Sequence, residues 1–338
     1  MKIVALTGGG TAGHVMPAIA VGQSLRKRGF GVIYIGSRDM ERDIAQRYGI
    51  KFFRTESAAF KRSLSPSNLK IPFVLARAKR EAAQALESYN VCCVFAKGGY
   101  VSLPAALAAR SMKIPVVNHE SDLTMGLGNR IISRFAAKTL TSFPETPGGL
   151  CTGNPIREEL YAGSAARARE KYGFGEGKTV LIFGGSQGSE AINKCVREAI
   201  KGLTNLGEII HITGKNAADP PRRKGYTAIP YADDIADLYA AAHTVVIRGG
   251  ANSMSEAASL GKRIVVIPLP KSGSSRGDQV ENAESYHSRG LCTLIEEKDL
   301  TPTELIRAVS RELDLDLRPV QKSDAADKIA SVIAAVSI

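Results

Sequence analysis

Short apolar runs, each closed by glycines or small polar residues and followed by a stretch of helical period, recur along the 338-residue chain. The first, Lys2-Ile3-Val4-Ala5-Leu6-Thr7, is apolar enough to be a strand buried on both faces, and it runs into Gly8-Gly9-Gly10-Thr11-Ala12-Gly13-His14. Pro17 suits the first position of the helix that follows, because its missing N–H would be unpaired there. Further strands are expected over 31–35, 51–54, 91–96, 115–118 and 139–143, with helices over 40–48 and 128–135 among them. Such alternation gives a parallel sheet with crossover helices.

The series stops around Gly153-Asn154-Pro155-Ile156-Arg157, and a polar, alanine-rich stretch runs to Tyr172. The pattern then restarts, with strands expected over 178–183, 208–213, 244–248 and 263–267 and helices over 191–203, 302–313 and 323–336. Two domains are therefore expected, residues 1–160 and 161–338, with the last helix able to pack back on the first domain. The fold class is α/β, two glycine-punctuated parallel-sheet halves facing across a cleft. Polar residues gather at strand ends, as in Lys97-Gly98-Gly99-Tyr100, His119-Glu120-Ser121-Asp122 and Gly249-Gly250-Ala251-Asn252-Ser253. Open α/β sheets bind ligands there.

Composition narrows the class. A 44% hydrophobic and 23% charged chain is that of a soluble globular protein, and no apolar run reaches the roughly 18 residues of a membrane helix. The first apolar stretch is too short for a signal peptide, so a cytoplasmic protein is expected. Five cysteines without a C-x-x-C pair read as buried thiols. The net charge of +12 is uneven: residues 1–160 hold 22 Lys and Arg against 11 Asp and Glu, residues 161–338 hold 23 against 22. An anionic partner is expected for the first half, a nucleic acid or a membrane face. Tryptophan is absent and no basic motif is interleaved with aromatics, which disfavours nucleic acid. Residues 69–80 crowd apolar and basic side chains together; they suit an anionic bilayer surface or a helix packed on the sheet.

Gly8, Gly10 and Gly13 satisfy G-x-G-x-x-G, yet the position where a dinucleotide fold wants an acid at the second strand's end offers Gly36-Ser37-Arg38. Gly173 to Thr179 is similar to a phosphate loop but precedes a strand, and reads as a turn. Asp314-Leu315-Asp316 lies between helices, and no cluster has metal-ligand spacing. The second half is more specific. Backbone amides and Ser253 at a helix start can hold a diphosphate, Glu256 one turn on can accept from two ribose hydroxyls, and Ser186 and Gln187 can close over the phosphates. In the first glycine loop the side chain able to move protons is His14.

Taken together, GGGTAGHVMPA (8–18), GGYVSLPAALAA (98–109), HESD with GLGN (119–129), TGNPIREEL (152–160), GGSQGSEAIN (184–193), RGGANSMSEAASLGKRIVVIPLP (248–270) and GDQVENA (277–283) closely resemble the MurG family, glycosyltransferase family 28. The resemblance covers nearly the whole chain. It implies a GT-B fold and an inverting transfer of N-acetylglucosamine from UDP-N-acetylglucosamine to the 4-hydroxyl of undecaprenyl-pyrophosphoryl-MurNAc-pentapeptide (lipid I), giving lipid II for peptidoglycan, with no metal or other cofactor. His14 would be the base, with Glu120 the reserve candidate or the residue that orients the acceptor. Thr11, Gly13, Arg248 and Ala251 would join Ser186, Gln187, Ser253 and Glu256 around the donor, and backbone at Ala232 would read the uracil edge. Asn129, Asp278, Gln279 and Asn282 resemble sugar-reading positions, and Arg157 the arginine beside the nucleotide. The resemblance also implies a membrane patch of Leu69, Lys70, Ile71, Phe73, Leu75, Arg77, Lys79 and Arg80 on the cytoplasmic face of the membrane, and partners among cell-wall synthesis proteins. Three departures stand out: Ser121-Asp122 where many members have Gln-Asn, Gly249 where many have serine, and Asp278 where some have glutamine. A diacylglycerol glycosyltransferase or a UDP-N-acetylglucosamine 2-epimerase would share the nucleotide site.

Overall fold

In the computed structural model the described residues are 1–56, 71–185, 188–215, 217, 221–272 and 275–337, the side chains of Ala12 and Ile71 excepted. The chain forms two compact units, Met1–Arg157 with Ser323–Ile338, and Glu158–Lys322.

The first unit is a parallel sheet of β1 (Ile3–Thr7), β2 (Gly31–Gly36), β3 (Lys51–Arg54), β4 (Val91–Ala96), β5 (Val116–Glu120), β6 (Lys138–Thr141) and β7 (Leu150–Cys151), in the order β3-β2-β1-β4-β5-β6-β7. Its crossovers are α1 (Ala12–Lys27), α2 (Asp39–Arg47), α3 (Ile71–Ser88), α4 (Ser102–Ser111) and α5 (Leu127–Ser133). Successive strand residues point to opposite faces. Val4 and Leu6 pack with Ile19 of α1, while Ala5 shares a core with Ala82 and Leu86 of α3 and Ala105 of α4. Both faces are covered, which is why the strands read as continuous apolar runs.

The second unit opens with a 3-10 turn (Glu158–Ala162) and α6 (Ala165–Tyr172). Its strands β8 (Thr179–Phe183), β9 (Glu208–Ile212), β10 (Tyr226–Ile229), β11 (Thr244–Ile247), β12 (Arg263–Val266) and β13 (Thr293–Leu294) lie parallel in the order β10-β9-β8-β11-β12-β13. The helices are α7 (Glu190–Leu206), α8 (Ile235–Ala241), α9 (Ala251–Ser259), α10 (Asp278–Ser288) and α11 (Pro302–Leu313). The last helix, α12 (Ala325–Val336), returns to the first unit, where Ile329, Ala330 and Ile333 complete the core around Val4 and Leu6.

Three sequence expectations change. Pro17 lies inside α1 and not at its start, because Thr11 takes the extended N-cap conformation and the chain turns helical at Ala12, directly after Gly10 at φ +91°. The helix end thus meets the glycine loop. The polar stretch before Tyr172 is helical, capped by the Ser164 hydroxyl and ended by Gly173 in the left-handed region at φ +70°, so the segment similar to a phosphate loop starts as a helix C-cap. Edge strands β7, β10 and β13, two to four residues each, are too short to show a period.

Candidate active site

Each sheet reverses its strand order once, at β1 in the first unit and at β8 in the second. Ligands of open α/β sheets bind at such switch points, beyond the strands' C-terminal ends. In the first unit the loops there are 8–11, after β1, and 97–101, after β4.

The first loop is held by Glu41, a fully buried residue of α2. Its carboxylate accepts from the N–H of Gly10 (2.9 Å), Ser37 (2.5 Å) and Arg38 (3.0 Å). Glu41 lies beyond the strand-end position where the dinucleotide pattern wants an acid, and its carboxylate is turned onto the protein's own backbone. A Cβ on Gly9 would stand 2.0 Å from Glu41 Oε1, so any side chain there would displace the carboxylate. Buried Tyr34 donates its hydroxyl to the Gly8 carbonyl (2.6 Å), and burial raises its pKa well above the ordinary phenol range. The second loop turns through Gly98 and Gly99, both at positive φ, and a Cβ on Gly99 would come within 2.5 Å of the Gly9 carbonyl. The same Cβ would lie 3.3 Å from His14 Cδ2, which places the His14 ring beside the contact of the two loops. His14 stands in the first turn of α1, with its N–H donating to Thr11 O (3.1 Å), and is half-buried.

Glu120 ends β5 and is buried. Its Oε1 accepts from Asp122 N (3.0 Å), and its Oε2 from Gly126 N (2.9 Å) and Asn129 Nδ2 (2.8 Å). Three donors on one carboxylate tie it to the loop that leads into α5, a geometry that suits an orienting role. Asn129 is itself buried and also donates to His119 O (3.2 Å). Beside them Lys97 is fully buried, with its ammonium on the Ser121 hydroxyl. Burial pushes its pKa down to about 8, partly offset by Glu120 and Asp122. His119 donates from Nε2 to Gly153 O (3.0 Å), and burial together with Lys97 holds its pKa well below the usual imidazole range. The departure to serine at 121 therefore has a partner in Lys97. Arg157 donates to the Tyr48 hydroxyl (3.4 Å) beyond the C-terminal end of α2, away from Glu41 in that helix's first turn.

In the second unit the switch-point segments follow β8 and β11. Ser186 and Gln187 lie outside the described residues. Gly188, at φ +78°, passes so close to β9's exit that a Cβ would meet Thr213 O at 2.3 Å. Arg248 is the fastener: it donates to Ile267 O (3.1 Å), Pro268 O (3.3 Å) and Ser189 Oγ (2.6 Å), and pairs with Glu297 (2.5 Å). It is thereby turned inward. Asn282, fully buried in α10, donates to Gly249 O (3.1 Å), and Gln279 accepts from Leu269 N (3.0 Å). Gly249 has no room for a side chain here, since a Cβ would lie 2.3 Å from Gln279 O. Asp278 opens α10 and faces Arg276 at 3.6 Å. Ala251, Ser253 and Glu256 stand on α9, the last two half-buried, and α9 begins at Gly250 with no side-chain cap and no acid in its first turn. A helix start of that kind attracts an anion. Ala232 is half-buried in the loop before α8, next to Tyr231, which is 48% exposed.

The basic-apolar segment divides. Leu69 and Lys70 lie outside the described residues, and α3 begins at Ile71. Phe73 is 79% exposed, whereas Ala78, Ala82, Ala85 and Leu86 further along are buried. Leu75 and Lys79 are half-buried and Arg80 is exposed, and Arg77 pairs with Glu56 (3.0 Å) and Glu81 (3.4 Å). The helix both packs on the sheet and offers an exposed aromatic at its start.

Sequence reasoning missed Glu41, Lys97, Ser189 and Glu297. Lys97 left a signal, a charge ending an otherwise apolar strand; the others read as ordinary helix or turn residues.

Comparison with known proteins places this architecture. The models of the glycosyltransferase family 28 N-terminal and C-terminal domains match residues 4–141 and 179–336. The UDP-N-acetylglucosamine--N-acetylmuramyl-(pentapeptide) pyrophosphoryl-undecaprenol N-acetylglucosamine transferases of Lachnoclostridium phytofermentans and Lachnospira eligens are 38% and 36% identical, over 100% and 98% of this chain and 100% and 99% of their own. The crystal structure of Acinetobacter baumannii MurG superposes with a TM-score of 0.75 at 26% identity, covering 99% of this chain and 100% of that one. With both domain models matched in order and two parallel sheets of the GT-B class, the chain belongs to glycosyltransferase family 28.

Proposed function

We propose that this chain is an inverting transferase that moves N-acetylglucosamine from UDP-N-acetylglucosamine to the 4-hydroxyl of lipid I, giving lipid II. The observation that supports the reading is the second switch point, where α9 starts without a side-chain cap and carries Ser253 and Glu256, in a chain 38% identical over its full length to a transferase of that name. Donor phosphates sit at the α9 end and on the loop after β8, with Glu256 accepting from the ribose hydroxyls and the Ala232 backbone reading the uracil. The acceptor belongs to the first switch point.

His14 is the base. As the acceptor oxygen attacks the anomeric carbon, its proton passes to the imidazole, the bond from that carbon to the phosphate oxygen breaks, and UDP leaves with the electron pair. The positive end of α9 stabilises the departing diphosphate, so no metal is needed. Glu120 and Asn129 shape the acceptor loop from beneath. Phe73, with Lys79 and Arg80, rests on the anionic cytoplasmic face of the membrane, where the lipid acceptor resides and other cell-wall synthesis proteins are met. Among the described residues no helix is long and apolar enough to cross a membrane.

The test is UDP release from UDP-N-acetylglucosamine with and without a short-chain lipid I analogue, in EDTA. Acceptor-dependent release is expected; release only with diacylglycerol, or a new UDP-sugar formed without acceptor, would replace this reading by the lipid transferase or the epimerase. Replacing Phe73 by Ser with Lys79 and Arg80 by Glu should reduce binding to anionic vesicles and spare turnover of the soluble analogue.

A further inference from the structure

One charged group at the first switch point has no task in the reading above. Arg38 follows β2, and its N–H is taken by Glu41. Its guanidinium is exposed, yet it is held: Nη2 donates to the Tyr100 hydroxyl (2.6 Å), Nη1 reaches the Gly10 carbonyl (3.5 Å), and the group lies 6.0 Å from the centre of the Tyr100 ring. Arg38 thus spans both glycine loops. Both oxygens it meets are neutral, and among the described residues no carboxylate forms an ion pair with it. Glu41 is turned to backbone amides, and Asp39 pairs with Arg42 (3.2 Å) and Arg54 (3.4 Å). A guanidinium has five N–H donors in one plane, so most of the fork remains available to an oxyanion.

We propose that Arg38, steadied by Tyr100, binds the diphosphate of the acceptor at the first switch point and so sets the acceptor's position. The inference rests on the transferase reading above. That acceptor carries a diphosphate on the sugar whose 4-hydroxyl must reach His14, and His14 and Arg38 stand at the same glycine loop, one beyond it on α1 and the other fastened to Gly10. Phosphate oxygens accept from a guanidinium in pairs, which gives direction as well as attraction.

The test compares R38Q, R38K and Y100F with the wild-type chain on the short-chain lipid I analogue. Glutamine keeps a polar N–H group and removes the charge, and the melting temperature reports separately on any loss of loop bracing. R38Q should raise the acceptor KM about 10-fold, the usual weight of a charge-assisted hydrogen bond in an exposed site, with kcat, donor KM and melting temperature unchanged. R38K should regain part of that loss, and Y100F should show a smaller rise in the same direction. An unchanged acceptor KM in R38Q overturns the proposal; so does a fall in kcat together with a lower melting temperature, which would make Arg38 a brace. A second arm does not depend on turnover: calorimetric titration of a short prenyl diphosphate in saturating UDP should be about 10-fold weaker for R38Q, and equal affinity would again overturn it. Wild-type chain that binds this probe but turns over no acceptor would instead refute the transferase reading alone.

Discussion

At the first switch point a buried carboxylate, Glu41, accepts from three main-chain N–H groups, whereas at the second a guanidinium, Arg248, donates to two main-chain carbonyls and a serine hydroxyl. The sheets share a strand order, so the difference lies in which half of the peptide group each fastener consumes. Glu41 uses up amides, and on the reading proposed above the side chains of His14 and Arg38 are left to face the acceptor. Arg248 uses carbonyls, and the adjacent helix start keeps its positive end for phosphate. The same strand order is thereby fastened through amides in one unit and through carbonyls in the other.

The largest effect separates those roles. H14A should lower kcat by about 100-fold or more, the usual contribution of a general base, while UDP affinity measured by calorimetry stays within about twofold. Equal losses in both would dissolve the contrast. Next, R248A should destabilise the second unit by about 3 kcal/mol, since it strands Glu297 and empties two carbonyls, and should weaken UDP binding. Urea denaturation followed with and without UDP reads both; a variant as stable as wild type would show that the fastener is dispensable.

A third prediction concerns the buried ammonium of the first unit. With its pKa lowered from 10.5 to about 8, Lys97 is charged at a cost in the folded chain below pH 8, and that cost disappears as the pH rises to 10.5. The unfolded chain binds more protons in that window, so wild-type stability gains about 3 kcal/mol across it relative to K97M. Parallel pH dependence of the two melting temperatures would mean that Glu120 and Asp122 compensate the charge fully. The smallest effect belongs to Tyr34: Y34F removes one buried hydrogen bond to Gly8 and should cost about 1 kcal/mol in chemical denaturation, leaving UDP binding untouched.

Much of this architecture is legible in the sequence because both faces of each sheet are covered. Runs such as Val91 to Phe95 are then apolar without alternation and stand out against the glycines that end them. Ser253 and Glu256 are legible for a related reason, since the helix period places them one turn apart on α9. The fasteners are not. Glu41 and Gly10 are 31 residues apart, and Arg248 and Ser189 are 59 apart, so their pairing is a product of the strand order and no local pattern carries it. Pro17 misleads for the opposite reason: its own preference points to a helix start, but the turn at Gly10 and the cap at Thr11 set the start earlier.

The return of α12 to the first unit has a consequence for how the chain is made. Ile329, Ala330 and Ile333 leave the ribosome after the whole second unit, yet they fill the core around Val4 and Leu6. The unit synthesised first is therefore the last to be completed, and until then α1 exposes an apolar face that a chaperone or the membrane would have to shield. A stop codon placed before Ala325 would injure the N-terminal unit and leave the C-terminal one with its core intact.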